Sequence, residues 1–206
     1  TSIGKAAFKE CNNLTEVKVT SSANDLKNAS HIILPGVGSF ESCLLGLEKS
    51  GIKEQLIESV LVKKTPFLGI CVGMQMLATK GYENGEFLGL DWIRGEVKKI
   101  DIKNKKLKIP HMGWNSIKFL KETNFIKNLL KKIKQTNLNE ICAYFVHSYN
   151  FKIEFESEKT LSTNYGEEIT AMVSKGNIIG TQFHPEKSHN FGLAFLQTFI
   201  EHWDFE

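Results

Sequence analysis

A cysteine flanked by glycines stands in the run Gly69-Ile70-Cys71-Val72-Gly73. This G-x-nucleophile-x-G spacing is typical of a nucleophile elbow, in which a strand turns sharply into a helix and exposes the central side chain above the sheet. Glycines let the strand and helix approach closely, the central residue is strained, and the helix N-terminus favours a thiolate. The pattern predicts that Cys71 is a nucleophile; a buried cysteine in an ordinary turn is the alternative.

A cysteine nucleophile needs a base, and the base needs a group that orients it. His184 follows an apolar run, and Glu186 comes two residues later, with Pro185 between them. A carboxylate at that spacing can hold one imidazole tautomer. We therefore predict a triad of Cys71, His184 and Glu186. His147, which also ends a predicted strand, is the rival base, although no carboxylate follows it closely.

Attack by a thiolate on a carbonyl creates an oxyanion that backbone N–H groups must stabilise. The N–H of Val72, directly after the nucleophile, is one candidate donor. The loop Pro35-Gly36-Val37-Gly38 can supply another, because its glycines allow the backbone to approach a substrate. An ordinary connecting loop or a phosphate cradle is the alternative, but the lysine motif of a P-loop does not follow.

The elements that must position these residues alternate between buried strands and helices in the first half of the chain. Apolar runs predict strands over residues 30–34 and 66–70. Helical spacing is found over residues 1–10, 40–51, 52–64 and 72–80.

The second half is richer in strands, which are predicted over residues 96–100, 106–109, 141–146, 160–164, 169–173 and 178–183. Helices are predicted around residues 125–133 and, amphipathic, over 191–202, whereas His111 is placed in a loop. The order predicts an α/β fold in a single domain, residues 1–206. We expect a mostly parallel central sheet flanked by helices, with additional antiparallel strands in the second half.

Composition narrows the class of protein. The 206 residues are 41% hydrophobic and 24% charged, with a net charge of +3, which excludes a disordered chain. Arg94 is the only arginine, so recognition of nucleic acid is not expected. No apolar run approaches the ~20 residues of a membrane span, and no secretory signal is seen. The four cysteines form no C-x-x-C pair, so we expect no metal site, no cofactor and a cytoplasmic protein.

Three segments together resemble the triad glutamine amidotransferases: PGVGSF at 35–40, GICVGMQ at 69–75 and GTQFHPEKS at 180–188. Two more, PHMGWN at 110–115 and FVHSY at 145–149, are similar to the glutaminase subunits of imidazole glycerol phosphate synthase, an enzyme of histidine biosynthesis. The resemblance covers essentially the whole chain. That family begins with a strand and a Gly-Asn-Leu turn, so we expect its first strand to be absent from the sequence given.

The resemblance implies hydrolysis of glutamine to glutamate and ammonia. Cys71 would form a glutamyl thioester, His184 would move protons and Glu186 would orient His184. The positions that match the family's oxyanion and substrate contacts are Gly38, Val72, Gln75, Glu83, Ser148 and Tyr149. A solvated loop position is the alternative for Glu83.

The resemblance also implies a partner, a (β/α)₈ barrel cyclase that receives ammonia through an internal channel and makes imidazole glycerol phosphate and AICAR. The positions that match the interface are Pro110, Met112, Trp114, Tyr144 and Lys187. Trp114 is predicted to be an aromatic anchor, or alternatively an ordinary core tryptophan.

Three other functions fit the same residues. A paralogue could supply ammonia to another synthetase, such as one that amidates a surface sugar. A stand-alone cysteine hydrolase could act on γ-glutamyl compounds without a partner. A catalytically silent binding subunit is the third, although silent relatives commonly lose a triad member and none is lost here.

Overall fold

The computed structural model describes residues 11, 16–102, 107–135 and 141–201. The helix expected over residues 1–10 lies outside this part. The described helices are α1 (Ala23–Asn28), α2 (Phe40–Lys49), α3 (Lys53–Ile57, continued by a π-helical turn over Glu58–Val62), α4 (Val72–Gln75), α5 (Asn124–Gln135) and α6 (His189–Glu201). Short 3₁₀ turns cover Glu156–Glu158 and Pro185–Lys187.

Twelve strands are described. They are β1 (Ile32–Gly36), β2 (Phe67–Cys71), β3 (Lys80–Gly81), β4 (Phe87–Leu88), β5 (Gly95–Lys99), β6 (His111–Ser116), β7 (Lys118–Phe119), β8 (Cys142–His147), β9 (Tyr149–Ile153), β10 (Lys159–Asn164), β11 (Glu168–Lys175) and β12 (Ile178–Thr181).

The largest described sheet has the order β1-β2-β12-β11-β10-β7. The pairs β1–β2 and β2–β12 are parallel, whereas the other three pairs are antiparallel. The α/β class is confirmed, and the described sheet is mixed: its antiparallel pairs are formed by strands of the second half, as expected from the sequence. Strand β2 lies between two parallel neighbours and is buried at every position, as its apolar sequence requires. The carboxyl ends of β2 and β12 therefore lie side by side, where sites form in such folds.

Two smaller sheets complete the described fold. One has the order β4-β3-β5-β9, and the other is the antiparallel ribbon β6–β8. Neither β6 nor β9 was expected from the sequence, and His111 lies in β6 rather than in a loop. The strand predicted over residues 106–109 is wrong for residues 107–109, and Lys106 lies outside the described part. There the Lys108 carbonyl accepts a hydrogen bond from the Tyr165 hydroxyl (2.8 Å).

The helix after the cysteine is much shorter than expected. Helical spacing predicts a helix over residues 72–80, but α4 ends at Gln75. The carbonyls of Met76, Leu77 and Ala78 accept instead from N–H groups of the returning loop over residues 90–93. Long-range hydrogen bonds thus replace the i→i+4 ladder that would have continued the helix.

The closing helix α6 packs aromatic side chains beneath the segment that follows β12. Phe183 contacts Phe191 and Phe195, with ring centroids 5.5 Å apart in both pairs. The helical prediction is confirmed from His189 to Glu201, and His202 lies outside the described residues. This packing fixes the chain immediately before His184.

Gly73 is a stability determinant of the elbow. A Cβ added there would lie 1.9 Å from the carbonyl oxygen of Leu34 in β1, so the strand would have to move. We expect Gly73→Ala to lower the free energy of unfolding by about 3 kcal/mol or more, measured by urea unfolding. Gly46→Ala is the matched control, because Gly46 lies inside α2 with open space around it.

The control is expected to be neutral or to stabilise by about 0.5–1 kcal/mol, the helix propensity of alanine over glycine. Equal unfolding midpoints for the two variants would contradict the close approach of α4 and β1.

Candidate active site

Cys71 ends β2 and precedes α4 in a backbone conformation that is rare for a side-chain-bearing residue. Its φ is 56° and its ψ is −112°. Gly69 permits this turn, because a Cβ there would lie 2.6 Å from the carbonyl oxygen of Gly73. The strained elbow expected from the sequence is present. The helix that follows is a single turn, so its dipole contributes less to a thiolate than a full helix would.

His184 and Glu186 form a hydrogen-bonded pair beside the elbow. Nδ1 of His184 lies 2.8 Å from Oε1 of Glu186. Because a carboxylate only accepts, Nδ1 carries the proton and Nε2 remains available as a base in the neutral ring. Nε2 is buried without a hydrogen-bond partner among the described residues, yet the ring interacts with the side chain of Cys71. Thiol and imidazole are therefore neighbours whose hydrogen bond is not closed, as is common in free enzymes.

The side chains of Cys71, His184 and Glu186 influence one another's protonation. Burial by itself would lower the pKa of His184, but interactions with the side chains of Cys71 and Glu186 raise it from 6.5 to about 9. Burial would raise the pKa of Glu186, but the hydrogen bond from His184 lowers it below its ordinary value of 4.5. The site therefore favours an imidazolium held between two potential anions.

The backbone around His184 is fixed by the neighbouring ribbon. The His184 N–H donates to the carbonyl of Tyr144 in β8 (2.9 Å). The Ser188 hydroxyl donates to the His184 carbonyl (2.7 Å) and accepts from the Tyr144 N–H (3.0 Å). The 3₁₀ turn over Pro185–Lys187 then carries Glu186 back toward the ring.

His147, the rival base, is excluded by its partners. Its Nδ1 lies 2.8 Å from the Tyr149 carbonyl, and its Nε2 lies 2.9 Å from Nδ1 of His111. Burial, the largest cause, lowers the pKa of His147 to about 3, and burial also lowers the pKa of His111 to about 4. Both ring nitrogens of His147 are thus used in a neutral structural network.

A residue that the sequence reasoning missed contacts the nucleophile. Nε2 of Gln182 lies 3.6 Å from Sγ of Cys71, and Oε1 of Gln182 accepts from Nε2 of Gln75 (2.9 Å). Gln182 was read only as part of the segment at 180–188. The available signal was its position two residues before His184, because alternate residues of an extended chain point to the same side.

The remaining predicted substrate positions lie in several different loops and elements, and Gln75 contacts one of them, Tyr149. Gly38 has a φ of +114°, which a glycine adopts readily. Oε2 of Glu83 accepts from the Phe40 N–H at the start of α2 (2.7 Å). Gln75 also donates to the carbonyl of Tyr149 (3.4 Å), and the preceding carbonyl, of Ser148, accepts from the Ile100 N–H (3.0 Å). Val72 opens α4 directly after the nucleophile.

The predicted interface residues lie on the ribbon and on the 3₁₀ turn beside the site. Met112 and Trp114 project from one side of β6 and are 61% and 47% exposed, so Trp114 is not a core residue. Trp114 opposes Tyr144 across the ribbon, and the Lys187 amine lies 5.7 Å from the Tyr144 ring. Pro110 is exposed just before β6.

No disulfide joins the four cysteines, all of which lie in the described part. Among the described residues, no cluster of three or more His, Cys, Asp or Glu side chains could hold a metal ion. Over the same ranges, no helix is long and apolar enough to cross a membrane.

The family follows from comparison with known proteins. The model of the class-I glutamine amidotransferases matches residues 5–203. A crystal structure of a glutamine amidotransferase superposes with a TM-score of 0.65 over 97% of this chain and 93% of that one, at 17% identity, and so supports the fold. The chain belongs to the class-I glutamine amidotransferase family and is an enzyme of that family.

Within the family, the chain is similar to proteins named imidazole glycerol phosphate synthase subunit HisH. The protein from Pelagibacter ubique is 42% identical over 94% of this chain and 90% of its own length. The protein from Bradyrhizobium diazoefficiens is 44% identical over 90% of this chain and 84% of its own.

Proposed function

We propose that this chain is the glutaminase subunit of an imidazole glycerol phosphate synthase and acts in histidine biosynthesis. The observation that carries the proposal is that a strained cysteine, an imidazole and a carboxylate lie close together. They do so in a chain that is 42% identical to a HisH protein. The domain would comprise residues 1–206, in agreement with the family match over residues 5–203. We further propose a cytoplasmic location, which fits cysteines without disulfides.

In the proposed reaction, the Cys71 thiolate attacks the side-chain amide carbon of glutamine and forms a carbon–sulfur bond. His184 gives its proton to the amide nitrogen as the carbon–nitrogen bond breaks, and ammonia leaves. Water then attacks the thioester, passes a proton to His184 and releases glutamate as the sulfur regains its electron pair. Glu186 holds the proton on Nδ1, which keeps Nε2 toward the reaction in the correct tautomer.

The proposed contacts with glutamine involve backbone N–H groups and side chains near the nucleophile. The N–H groups of Val72 and of the loop at Gly38 would stabilise the oxyanion. Glu83 would bind the substrate ammonium, with Gln75, Ser148 and Tyr149 completing the pocket. Glu83 is held by the Phe40 N–H.

The proposed partner is a (β/α)₈ barrel cyclase subunit that consumes the ammonia. It would dock on the exposed face formed by Pro110, Met112, Trp114, Tyr144 and Lys187. The support is that Trp114 is about half exposed and stacked on His189 at 4.8 Å, which holds the ring rigid before binding. Tryptophan is among the residue types most enriched in binding hot spots.

We expect Trp114→Ala to weaken binding of the barrel subunit by about 10- to 100-fold, because truncating a central aromatic anchor removes buried area and rigidity. The dissociation constant is measured by isothermal titration calorimetry with the barrel subunit from the same genome. Phe155→Ala is the matched control, since Phe155 is an aromatic residue of similar exposure (45%) outside this face. An equal loss in both variants, or none in the first, would refute this docking face.

The whole proposal is tested by glutamate release with and without the barrel subunit and its nucleotide ligand. Turnover that rises when both are present supports it. Complementation of a histidine auxotroph lacking the glutaminase subunit identifies the ammonia acceptor. Rapid cleavage of γ-glutamyl peptides by the isolated chain, with no response to the barrel subunit, would instead identify a stand-alone hydrolase.

A further inference from the structure

Two polar groups besides His184 lie near the nucleophile, the Val146 carbonyl, 4.0 Å from Sγ, and the side-chain amide of Gln182. Gln182 Nε2 lies 3.6 Å from Sγ of Cys71, within hydrogen-bonding distance of sulfur, and Gln182 is fully buried. We propose that Gln182 is a further catalytic residue, whose side-chain N–H stabilises the Cys71 thiolate, and that Gln75 is the positioning residue that orients this amide. The inference rests on the proposed function only in taking Cys71 as the nucleophile.

The orientation of the Gln182 amide follows from a chain of hydrogen bonds that begins at a backbone carbonyl. The carbonyl of Tyr149 can only accept, so Gln75 must present its NH₂ group to it (3.4 Å). The second N–H of that group donates to Oε1 of Gln182 (2.9 Å). With its oxygen held by Gln75, Gln182 turns its own NH₂ group toward Sγ.

The starting carbonyl is itself fixed. Nδ1 of His147 donates to the Tyr149 oxygen (2.8 Å), and Nε2 of His147 accepts from Nδ1 of His111 (2.9 Å). Asn115 lies 3.2 Å from Nε2 of His111, with its amide nitrogen as donor. In this chain each neutral histidine accepts a hydrogen bond at Nε2 and donates one from Nδ1. The last donation, from His147, goes to the same Tyr149 carbonyl that accepts from Gln75. The network explains why polar side chains tolerate burial here.

A fixed neutral donor lies beside the sulfur at both stages where Sγ carries charge. Before attack, the thiolate interacts with the protonated His184 ring and with the Gln182 N–H. When the thioester is hydrolysed, His184 has accepted the proton from water before the electron pair of the carbon–sulfur bond returns to Sγ. The Gln182 N–H remains beside the sulfur throughout and requires no reorganisation, which is the basis of preorganised electrostatic stabilisation.

The test is the pH dependence of Cys71 alkylation by iodoacetamide in the full chain, followed by quantitative peptide mass spectrometry. In this reaction the thiolate displaces iodide and a carbon–sulfur bond forms, so the rate follows the thiolate fraction. Gln182→Met keeps the length of the side chain and removes the donor. We expect the midpoint of the rate profile to move up by about 1 pH unit, a ~10-fold slower reaction near neutral pH, because a hydrogen bond to the charged form is lost.

A merely structural role would change the plateau rate at high pH and leave the midpoint in place. Cys43, measured in the same digest, reports any general opening of the fold, and its rate is expected to stay within about twofold. An unchanged midpoint in Gln182→Met overturns the inference. Gln75→Met is expected to give about half the shift, because the Gln182 amide can then rotate, and the readout needs no glutamine.

If Gln182→Met does not fold, Gln182→Glu replaces it, with nearly the same shape and a carboxylate beside the sulfur. The midpoint is then expected to rise by more than about 1 pH unit, because a like charge disfavours the thiolate; no rise overturns the inference. A normal shift in a chain that never releases glutamate would instead refute the proposed function and leave the role of Gln182 standing.

Discussion

Replacing Cys71 by alanine is expected to lower kcat for glutamate release by about 10⁴- to 10⁶-fold, the loss seen when a nucleophile is removed from a triad. The reason is that the thioester cannot form, so only unassisted attack by water remains. Cys71 is buried at the strained end of β2, and an alanine side chain is small enough to fit the same space. The measurement is glutamate release with the barrel subunit present, because the proposed function requires the complex.

The matched control is Cys142→Ala. Cys142 lies at the start of β8, the end of the strand away from His147, and its replacement is expected to leave kcat within about twofold, as for most substitutions outside a site. Turnover that persists in Cys71→Ala would refute the assignment of the nucleophile. Loss of turnover in the control would indicate that the assay reports folding.

Glu186→Gln is expected to lower kcat by about 10²- to 10⁴-fold, with a smaller change in KM. An amide cannot enforce the tautomer that leaves Nε2 free, and the known loss for such a change in a triad reaches about 10⁴. The expected effect depends on the 2.8 Å contact between Nδ1 of His184 and Oε1 of Glu186. Steady-state kinetics of the complex give both constants.

Glu186→Gln is also expected to change how the free energy of unfolding depends on pH. The raised pKa of His184, about 9, stabilises the fold fully below its ordinary 6.5 and loses that contribution as pH rises through 9. The lowered pKa of Glu186 stabilises the fold above its ordinary 4.5 and loses that contribution at lower pH. The free energy of unfolding should therefore differ most between parent and variant from about pH 5 to 6.5, and the difference should shrink toward pH 9.

Urea unfolding at several pH values measures this difference. Glu167→Gln is the control, because the half-buried Glu167 carboxylate contacts Lys152 (2.7 Å) and the Asn150 amide (3.2 Å) and no histidine. Its expected effect is below about 1 kcal/mol. A stability difference for Glu186→Gln that grows between pH 6.5 and 9 would contradict the ion pair with His184.

Most elements of the fold were predictable because their signals are local. The periodicity of α2 and α6 and the apolar runs of β1, β2 and β12 placed these elements within a few residues. The length of the helix after Cys71 was not predictable in this way. This helix ends at Gln75 because the loop over residues 90–93 donates to the carbonyls of Met76, Leu77 and Ala78, and no local pattern encodes a competing hydrogen bond from a distant segment.

The glycine spacing around Cys71 and the two-residue step from His184 to Glu186 could be read from the sequence, because short stretches of backbone set both. The packing of the whole chain was needed to show which histidine is free to act as a base, since both ring nitrogens of His147 contact His111 and Tyr149. It also brought Gln182 to a sulfur 111 positions away and left Trp114 half exposed. Burial, tautomer and long-range contact depend on how the whole chain packs, and residue spacing alone does not specify them.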